Sequence, residues 1–251
     1  MKRTPDRTVA PVVQRVRLEY AKRGRLRFSS HRDFQRALER AIRRAGIPVA
    51  FSAGFSPHPR ISYANSAPTG AASEAEYVEI AVTTAVDPAW VREGLDASLP
   101  EGFDVLRVVE AAPPDLATRL QASRWSIALP GVAPSRASAA AEAFLAQGAI
   151  EVSRMTKSGM RTFDARGPVV SLEVDPREST EGCAILHVVV RHVTPSVRPD
   201  DVLSALRNVA DLVPPAPPRV TRLAQGPFDP RTGSVGDPFA PDIVAESASQ
   251  H

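Results

Sequence analysis

The chain has 251 residues, 43% of them hydrophobic, enough apolar material for one large or two ordinary packed domains and too much for wholesale disorder. A single cysteine excludes internal disulfides and Cys-rich zinc or iron–sulfur centres, and no run of about 18 apolar residues is present to span a membrane as a helix. The net charge of +3 hides an asymmetry: residues 1–60 hold 15 Lys or Arg against 4 Asp or Glu, a local net of +11, and the remainder carries −8.

Such a concentration of positive charge points to a polyanion-facing N-terminal region, unless the arginines merely fill solvated positions. The opening stretch MKRTPDRTVAPVVQ has basic residues but no apolar core, so it does not read as a secretory signal, and the cytoplasm is the expected compartment.

Residues 1–11 are polar and Pro-containing and are expected to be disordered. From residue 12 the chain alternates, with Val16, Leu18 and Tyr20 on one side and Arg15, Arg17 and Glu19 on the other, as a half-buried strand does. After a turn at Lys22-Arg23-Gly24, Leu26 and Phe28 resume the alternation. Ser30-His31-Arg32-Asp33 then reads as a capping box with Asp33 in the place of Glu. The helix it opens places Phe34, Ala37, Leu38, Ala41, Ile42 and Ala45 at helical spacing, with Arg32, Arg36, Arg40, Arg43 and Arg44 on the other face, and Gly46 and Pro48 stop it.

Residues 48–73 are loop-rich, with short strands expected near 49–52 and 61–65. A strand at Tyr77–Val82, a helix capped by Asp87-Pro88 and a strand at Phe103–Val109 complete a β-α-β-β-α-β order. Ala111-Ala112-Pro113-Pro114 marks a boundary. The order then repeats: strand Trp125–Leu129, an Ala-rich helix capped by Ser135, strands near 149–155, 160–165, 168–174 and 183–191, a helix at Arg198–Val209 and a strand at Arg219–Leu223. The predicted architecture is α+β: two tandem ferredoxin-like modules with antiparallel sheets, over 12–112 and 120–225, and a flexible Pro/Gly/Asp/Ser-rich tail over 226–251.

Four stretches carry candidate chemistry. Ser30, His31 and Arg32 at a helix N-terminus offer donors to an anion, or form a plain cap. The loop 51–60 presents Phe55, His58 and Arg60 for stacking and phosphate contact, unless Phe51 and Phe55 turn into the core. Glu74 and Glu76, two apart on a strand, share one side and would salt-bridge the helix arginines or supply a base. Lys157 and Arg161 flank a hairpin turn that would touch a phosphate backbone, or be an ordinary turn.

No Walker-type phosphate loop, dinucleotide fingerprint or Gly-x-Ser-x-Gly elbow occurs. Cys183 sits in an apolar strand as a structural thiol, and His187 and His192 fall on opposite strand faces, which disfavours a metal pair. No catalytic residue, metal or cofactor is assigned.

Together, Phe28-Ser29-Ser30-His31-Arg32-Asp33, the Arg36–Arg44 helix ending in Ala45-Gly46-Ile47-Pro48, Ser52-Ala53-Gly54-Phe55-Ser56-Pro57-His58-Pro59, Thr69-Gly70 to Glu76-Tyr77, and Lys157-Ser158-Gly159-Met160-Arg161-Thr162-Phe163-Asp164 resemble the radical-SAM-linked proteins of unknown function found in many bacteria. The resemblance covers about residues 12–225. It implies a domain that accompanies a radical SAM enzyme, fused or as a separate chain, with work on RNA suggested. Radical SAM chemistry needs three cysteines on an iron–sulfur cluster, and this chain has one, so it would be the accessory. The expected function is therefore a non-catalytic module that binds tRNA or rRNA for a radical SAM partner. Two alternatives stay open: a metal-independent RNA endonuclease using His31, Tyr20 and Lys22, and a scaffold whose arginines meet an acidic protein.

Overall fold

The computed structural model describes residues 10–156 and 159–249. In chain order the elements are β1 (Gln14–Lys22), α1 (His31–Arg44), β2 (Ile61–Ala64), β3 (Ala72–Val82), α2 (Pro88–Asp96), β4 (Val105–Glu110), α3 (Leu116–Arg119), β5 (Ala122–Pro130), α4 (Pro134–Leu145), β6 (Glu151–Thr156), β7 (Gly159–Asp164), β8 (Val169–Val174), β9 (Cys183–Arg191), α5 (Pro199–Ala210), β10 (Arg219–Gly226), β11 (Phe228–Asp229), β12 (Ser234–Val235) and α6 (Ala240–Ser249). The class is α+β with antiparallel pairing. The chain divides into two units, Met1–Arg119 with Pro238–His251, and Leu120–Asp237.

In the first unit the strands lie in the order β4-β1-β3-β2, each antiparallel to its neighbour. Val16, Leu18 and Tyr20 of β1 and Val78, Ile80 and Val82 of β3 point to the face covered by α1 and α2. They form one core with Phe34, Leu38, Ile42, Val91, Leu95 and Phe103. Tyr20 stacks on Phe34 with centroids 4.0 Å apart, and Phe103 meets the edges of both rings.

The other face of β1 was expected to meet solvent. Arg17 and Glu19 are buried instead, because α6 and the segment around Ala112–Arg119 cover them, while Arg15 stays exposed. Register sets Arg17 opposite Glu79, and Glu19 opposite both Tyr77 and Arg107. These cross-strand pairs bond directly: Arg17 Nε donates to Glu79 at 2.9 Å, the Tyr77 hydroxyl donates to Glu19 at 2.8 Å, and Arg107 pairs with Glu19. Asp242 of α6, its side chain wholly buried, accepts from Arg17 Nη1 and Arg119 Nη1, both at 2.8 Å, and from the Ala112 N–H at 2.7 Å. Phe239 packs edge-on against Tyr77 and under the Arg107 guanidinium.

The expected flexible tail is instead structured over the described residues 226–249. It forms the β11–β12 pair and then α6, whose acid neutralises two buried arginines of the first unit. Residues 1–9 of the expected disordered N-terminus lie outside the described residues.

In the second unit the order is β10-β5-β9-β8, again antiparallel throughout, with β6–β7 as a separate two-stranded hairpin. α4 packs on β8, β9 and α5. Trp125, Ile127, Leu129, Phe144, Leu172, Leu186, Val188 and Leu206 are buried.

Three local expectations are corrected. Gly24–Phe28 is a 3-10 turn, not a continuing strand: Gly24 takes φ +54, the Leu26 N–H returns to the Arg23 carbonyl, and Phe28 is turned out 60% exposed. Residues 49–52 make only isolated bridges, Val49 to Val82 and Phe51 to Pro59. The N-cap of α4 is Ala133, with Pro134 at the first helical position, so Ser135 lies inside the helix.

Candidate nucleic-acid interface

α1 begins as its sequence demands. The Ser30 hydroxyl accepts from the Asp33 N–H, and the Asp33 carboxylate accepts from the Ser30 N–H at 3.0 Å. These bonds, from the hydroxyl and then the backbone of Ser30, hold the Asp33 carboxyl below its usual range. At the other end Ala45 caps the helix, and Gly46 takes φ +70, where a side chain would be strained.

Phe34, Ala37, Leu38, Ala41 and Ile42 are buried, while Arg32, Arg36, Arg40, Arg43 and Arg44 are exposed. At 3.6 residues per turn those five arginines occupy about a third of the helix circumference along a length of about 18 Å. Arg44 is partly used, donating to the Ser98 carbonyl at 3.0 Å. Among the described residues no carboxylate lies within 4.0 Å of the guanidinium groups of Arg32, Arg36, Arg40 or Arg43.

Four other early basic residues are spent on structure. Arg15 and Arg17 pair with Glu79, and Arg23 with Glu74 and Asp104, which raises the Arg23 pKa further. The buried Lys22 ammonium donates to the Pro68 carbonyl at 3.2 Å. Glu74 and Glu76 do not meet the α1 arginines: Glu74 holds Arg23, and the buried Glu76 accepts from the Ala67 N–H at 3.0 Å. Among the described residues, part of the early positive charge is therefore paired around β1, and another part forms a stripe on α1 with no carboxylate within 4.0 Å of Arg32, Arg36, Arg40 or Arg43.

At the N-terminal end of α1, Lys22 and Glu76 pin the loop that carries Ser66, and Ser66 Oγ hydrogen-bonds His31 Nδ1 at 2.9 Å. The His31 ring stands edge-on to Tyr63, centroids 4.9 Å apart. The Tyr63 hydroxyl is buried and finds no hydrogen-bond partner among the described residues; burial, then the charge of Glu39, pushes its pKa up. Next to this group the Arg27 guanidinium lies 4.7 Å over the ring of the exposed Phe28. A solvent-facing ring capped by a cation is a stacking surface for a base. Phe28 was read as a strand residue, and nothing in its alternation with Leu26 distinguishes a strand from a 3-10 turn. Ser66 joins the site through the pinned loop, and Tyr63 through β2, where it pairs with Val78 of β3.

The loop 51–60 closes on itself. The Ser52 N–H donates to the His58 carbonyl at 2.8 Å, the His58 N–H donates to Ser52 Oγ at 3.0 Å, and the Arg60 N–H to the Ala50 carbonyl at 2.7 Å. Phe51 and Phe55 do not enter the core. Phe55 is 75% exposed, and His58 and Arg60 are exposed with it. This loop rises after the C-terminal end of α1, whereas His31 sits at its N-terminal end, and the 14-residue helix separates its ends by about 21 Å. The structure thus gathers Ser30 and His31 with Phe28, Tyr63 and Ser66 at one end, lines the arginines between, and sets Phe55, His58 and Arg60 beyond the other.

Tyr20 and Lys22, the companions of His31 in the endonuclease alternative, are both buried. Arg161 is exposed on β7 of the second unit, and Lys157 lies outside the described residues. His192, beyond β9, bonds Ser123 Oγ at 2.7 Å and the Leu120 carbonyl, while His187 faces Asp175 and Glu178. Among the described residues no helix is long and apolar enough to cross a membrane.

Curated proteins return no match to this chain. A family model does match, over residues 15–199: the family described as "Uncharacterized protein conserved in bacteria (DUF2344)". That span covers most of the chain, all of α1 and the loop behind it, and the protein belongs to this family.

Proposed function

We propose that the protein is a non-catalytic RNA-binding accessory, with the exposed side of α1 as its phosphate-tracking surface and a radical SAM enzyme as its partner. The observation that carries the reading is the row of four exposed guanidinium groups with, among the described residues, no carboxylate within 4.0 Å. Polyanion binding gains from releasing counterions, and it gains most where cations are not already neutralised by the protein. Phe28 under Arg27 at one end and Phe55 at the other supply ring faces for unpaired bases, as single-stranded RNA requires.

We read each unit as a ferredoxin-like βαββαβ module, the second with β6–β7 inserted after its first helix. The partner enzyme rests on the resemblance of the motifs at 28–33, 52–59 and 157–164 to radical-SAM-linked proteins. With Cys183 as its one cysteine the chain itself cannot furnish a three-cysteine cluster. The burial of Tyr20 and Lys22 leaves His31 without those acid–base companions, so binding is favoured over cleavage.

Fluorescence anisotropy with tRNA and rRNA fragments at 50 and 200 mM salt tests the proposal. Tight binding at the lower salt that weakens steeply at the higher is expected. Absence of binding, or binding indifferent to salt, refutes it. Capture of the partner enzyme unaffected by ribonuclease, with no RNA affinity, would assign the arginines to a protein surface instead.

A further inference from the structure

We propose that the first unit carries a docking socket for one helical turn of an acidic protein segment, an aromatic residue followed three positions on by an aspartate, which the chain fills in cis with Phe239 and Asp242 and which the same turn of a partner protein fills in trans. It is independent of the RNA reading.

The socket has two halves. In one, Arg17 Nη1 and Arg119 Nη1 each stand 2.8 Å from an oxygen of the Asp242 carboxylate, and the Ala112 N–H completes the cradle at 2.7 Å. In the other, the wholly buried Phe239 ring lies edge-on to Tyr77, centroids 5.3 Å apart, and under the Arg107 guanidinium at 5.1 Å. Helical geometry links the halves. The Phe239 carbonyl accepts from the Asp242 N–H at 2.9 Å and the Ile243 N–H at 3.1 Å, so two residues three apart present their side chains on one side.

The cradle does not depend on the carboxylate it holds. Arg17 is fixed by Glu79 at 2.9 Å and by the Ala112 carbonyl at 2.8 Å, and Arg119 by the Pro114 carbonyl at 3.0 Å. Two guanidinium groups and an N–H, aimed at one point by other partners, make a preorganised oxyanion site.

The occupant, by contrast, is lightly attached. Between residues 237 and 247 only Pro238, Phe239 and Asp242 are buried. α6 has 10 residues, too few to persist as a helix without its docking. Opening so small a contact takes less free energy than unfolding the unit. It also uncovers two cations that Glu79, shared with Arg15, does not balance, so release favours a replacement anion. The aromatic half of the socket favours a carboxylate carried on a helical turn over a bare phosphate.

Fluorescence anisotropy of a labelled peptide of residues 237–249, added to the full chain, tests the socket. In wild type the tethered α6 competes at a roughly millimolar effective concentration, and weak binding is expected. Asp242→Asn loosens the cis turn and should take the peptide at least ten-fold more tightly, with a rise in its melting temperature on binding. Peptides carrying Asp242→Asn or Phe239→Ala should not bind, nor should the chain with Asp242→Leu and Arg119→Met together. Hydrogen exchange on wild type needs no variant: the amides of Ala112, Asp242 and Ile243 should exchange together, at least ten-fold faster than those in the middle of β1. A peptide that neither binds the Asp242→Asn chain nor raises its melting temperature would overturn the proposal. So would equal binding of the aspartate and asparagine peptides, or protection of Ala112, Asp242 and Ile243 equal to that of β1. Displacement of the peptide by RNA fragments would reassign the cradle to phosphate and overturn it as a protein-docking site.

Discussion

Asp242→Asn should destabilise the first unit although residue 242 lies far from it in the chain. The aspartate side chain is fully buried, and it faces the guanidinium groups of Arg17 and Arg119, each only 3% exposed. Removing one partner of a buried ion pair typically costs about 3–5 kcal/mol, because the remaining charge stays buried without compensation. Here Arg17 retains Glu79 at 2.9 Å, and Arg119 retains the Pro238 carbonyl at 2.7 Å and the Pro114 carbonyl at 3.0 Å. The lower end applies, about 3 kcal/mol, or a fall in melting temperature of roughly 10 °C for a unit of this size. Guanidinium denaturation measures the loss, and hydrogen exchange localises it to the amides of α6, β1 and the Ala112 N–H. Replacing the pair together, as Asp242→Leu with Arg119→Met, should cost less than Asp242→Asn alone. A change below about 1 kcal/mol, or a double variant less stable than the single one, would refute the reasoning.

Phe28→Ala should leave stability within about 0.5 kcal/mol, since the ring is mostly exposed, yet weaken single-stranded RNA binding by about 1–3 kcal/mol; anisotropy and thermal melts separate the two effects. His192 has its pKa lowered by burial, opposed by its bond to the Leu120 carbonyl and assisted by the charge of Arg222. The unfolded chain therefore takes up a proton, as pH falls below about 6.5, that the folded chain resists, so this histidine's contribution to stability is complete above that pH and declines beneath it. His192→Gln should flatten the stability profile between about pH 7 and 5, and an unchanged slope would count against the assignment.

What could be read from sequence and what could not divides on range. The capping box at Ser30–Asp33, the two-sided helix to Arg44 and the alternation of β1 are written in neighbouring residues, and all three were legible. Whether the polar side of β1 faces water was not. It depends on Asp242, 225 positions from Arg17, in a segment whose prolines, serines and weak amphipathy suggest a tail. The arginines looked alike in composition. Register sets Arg17 opposite Glu79, whereas Arg36, on the exposed side of α1, has no carboxylate within 4.0 Å among the described residues. Phe28 was misread for a local reason, since a few residues of alternation fit a strand and a tight turn equally. The 51–60 loop was recognisable as exposed chemistry, but its distance from His31 follows from the length and direction of α1.

The central claim is that the unpaired arginines of α1 neutralise RNA phosphates. The direct measurement is the slope of log Kd against log salt for a single-stranded RNA, in wild type and in Arg36→Gln/Arg40→Gln/Arg43→Gln. At about 0.7 per phosphate contacted, four arginines give a slope near 2.8, or about fifty-fold weaker binding between 50 and 200 mM salt. The triple variant should lose about 2 units of that slope while keeping its melting temperature. An unchanged slope in the folded triple variant would contradict the account.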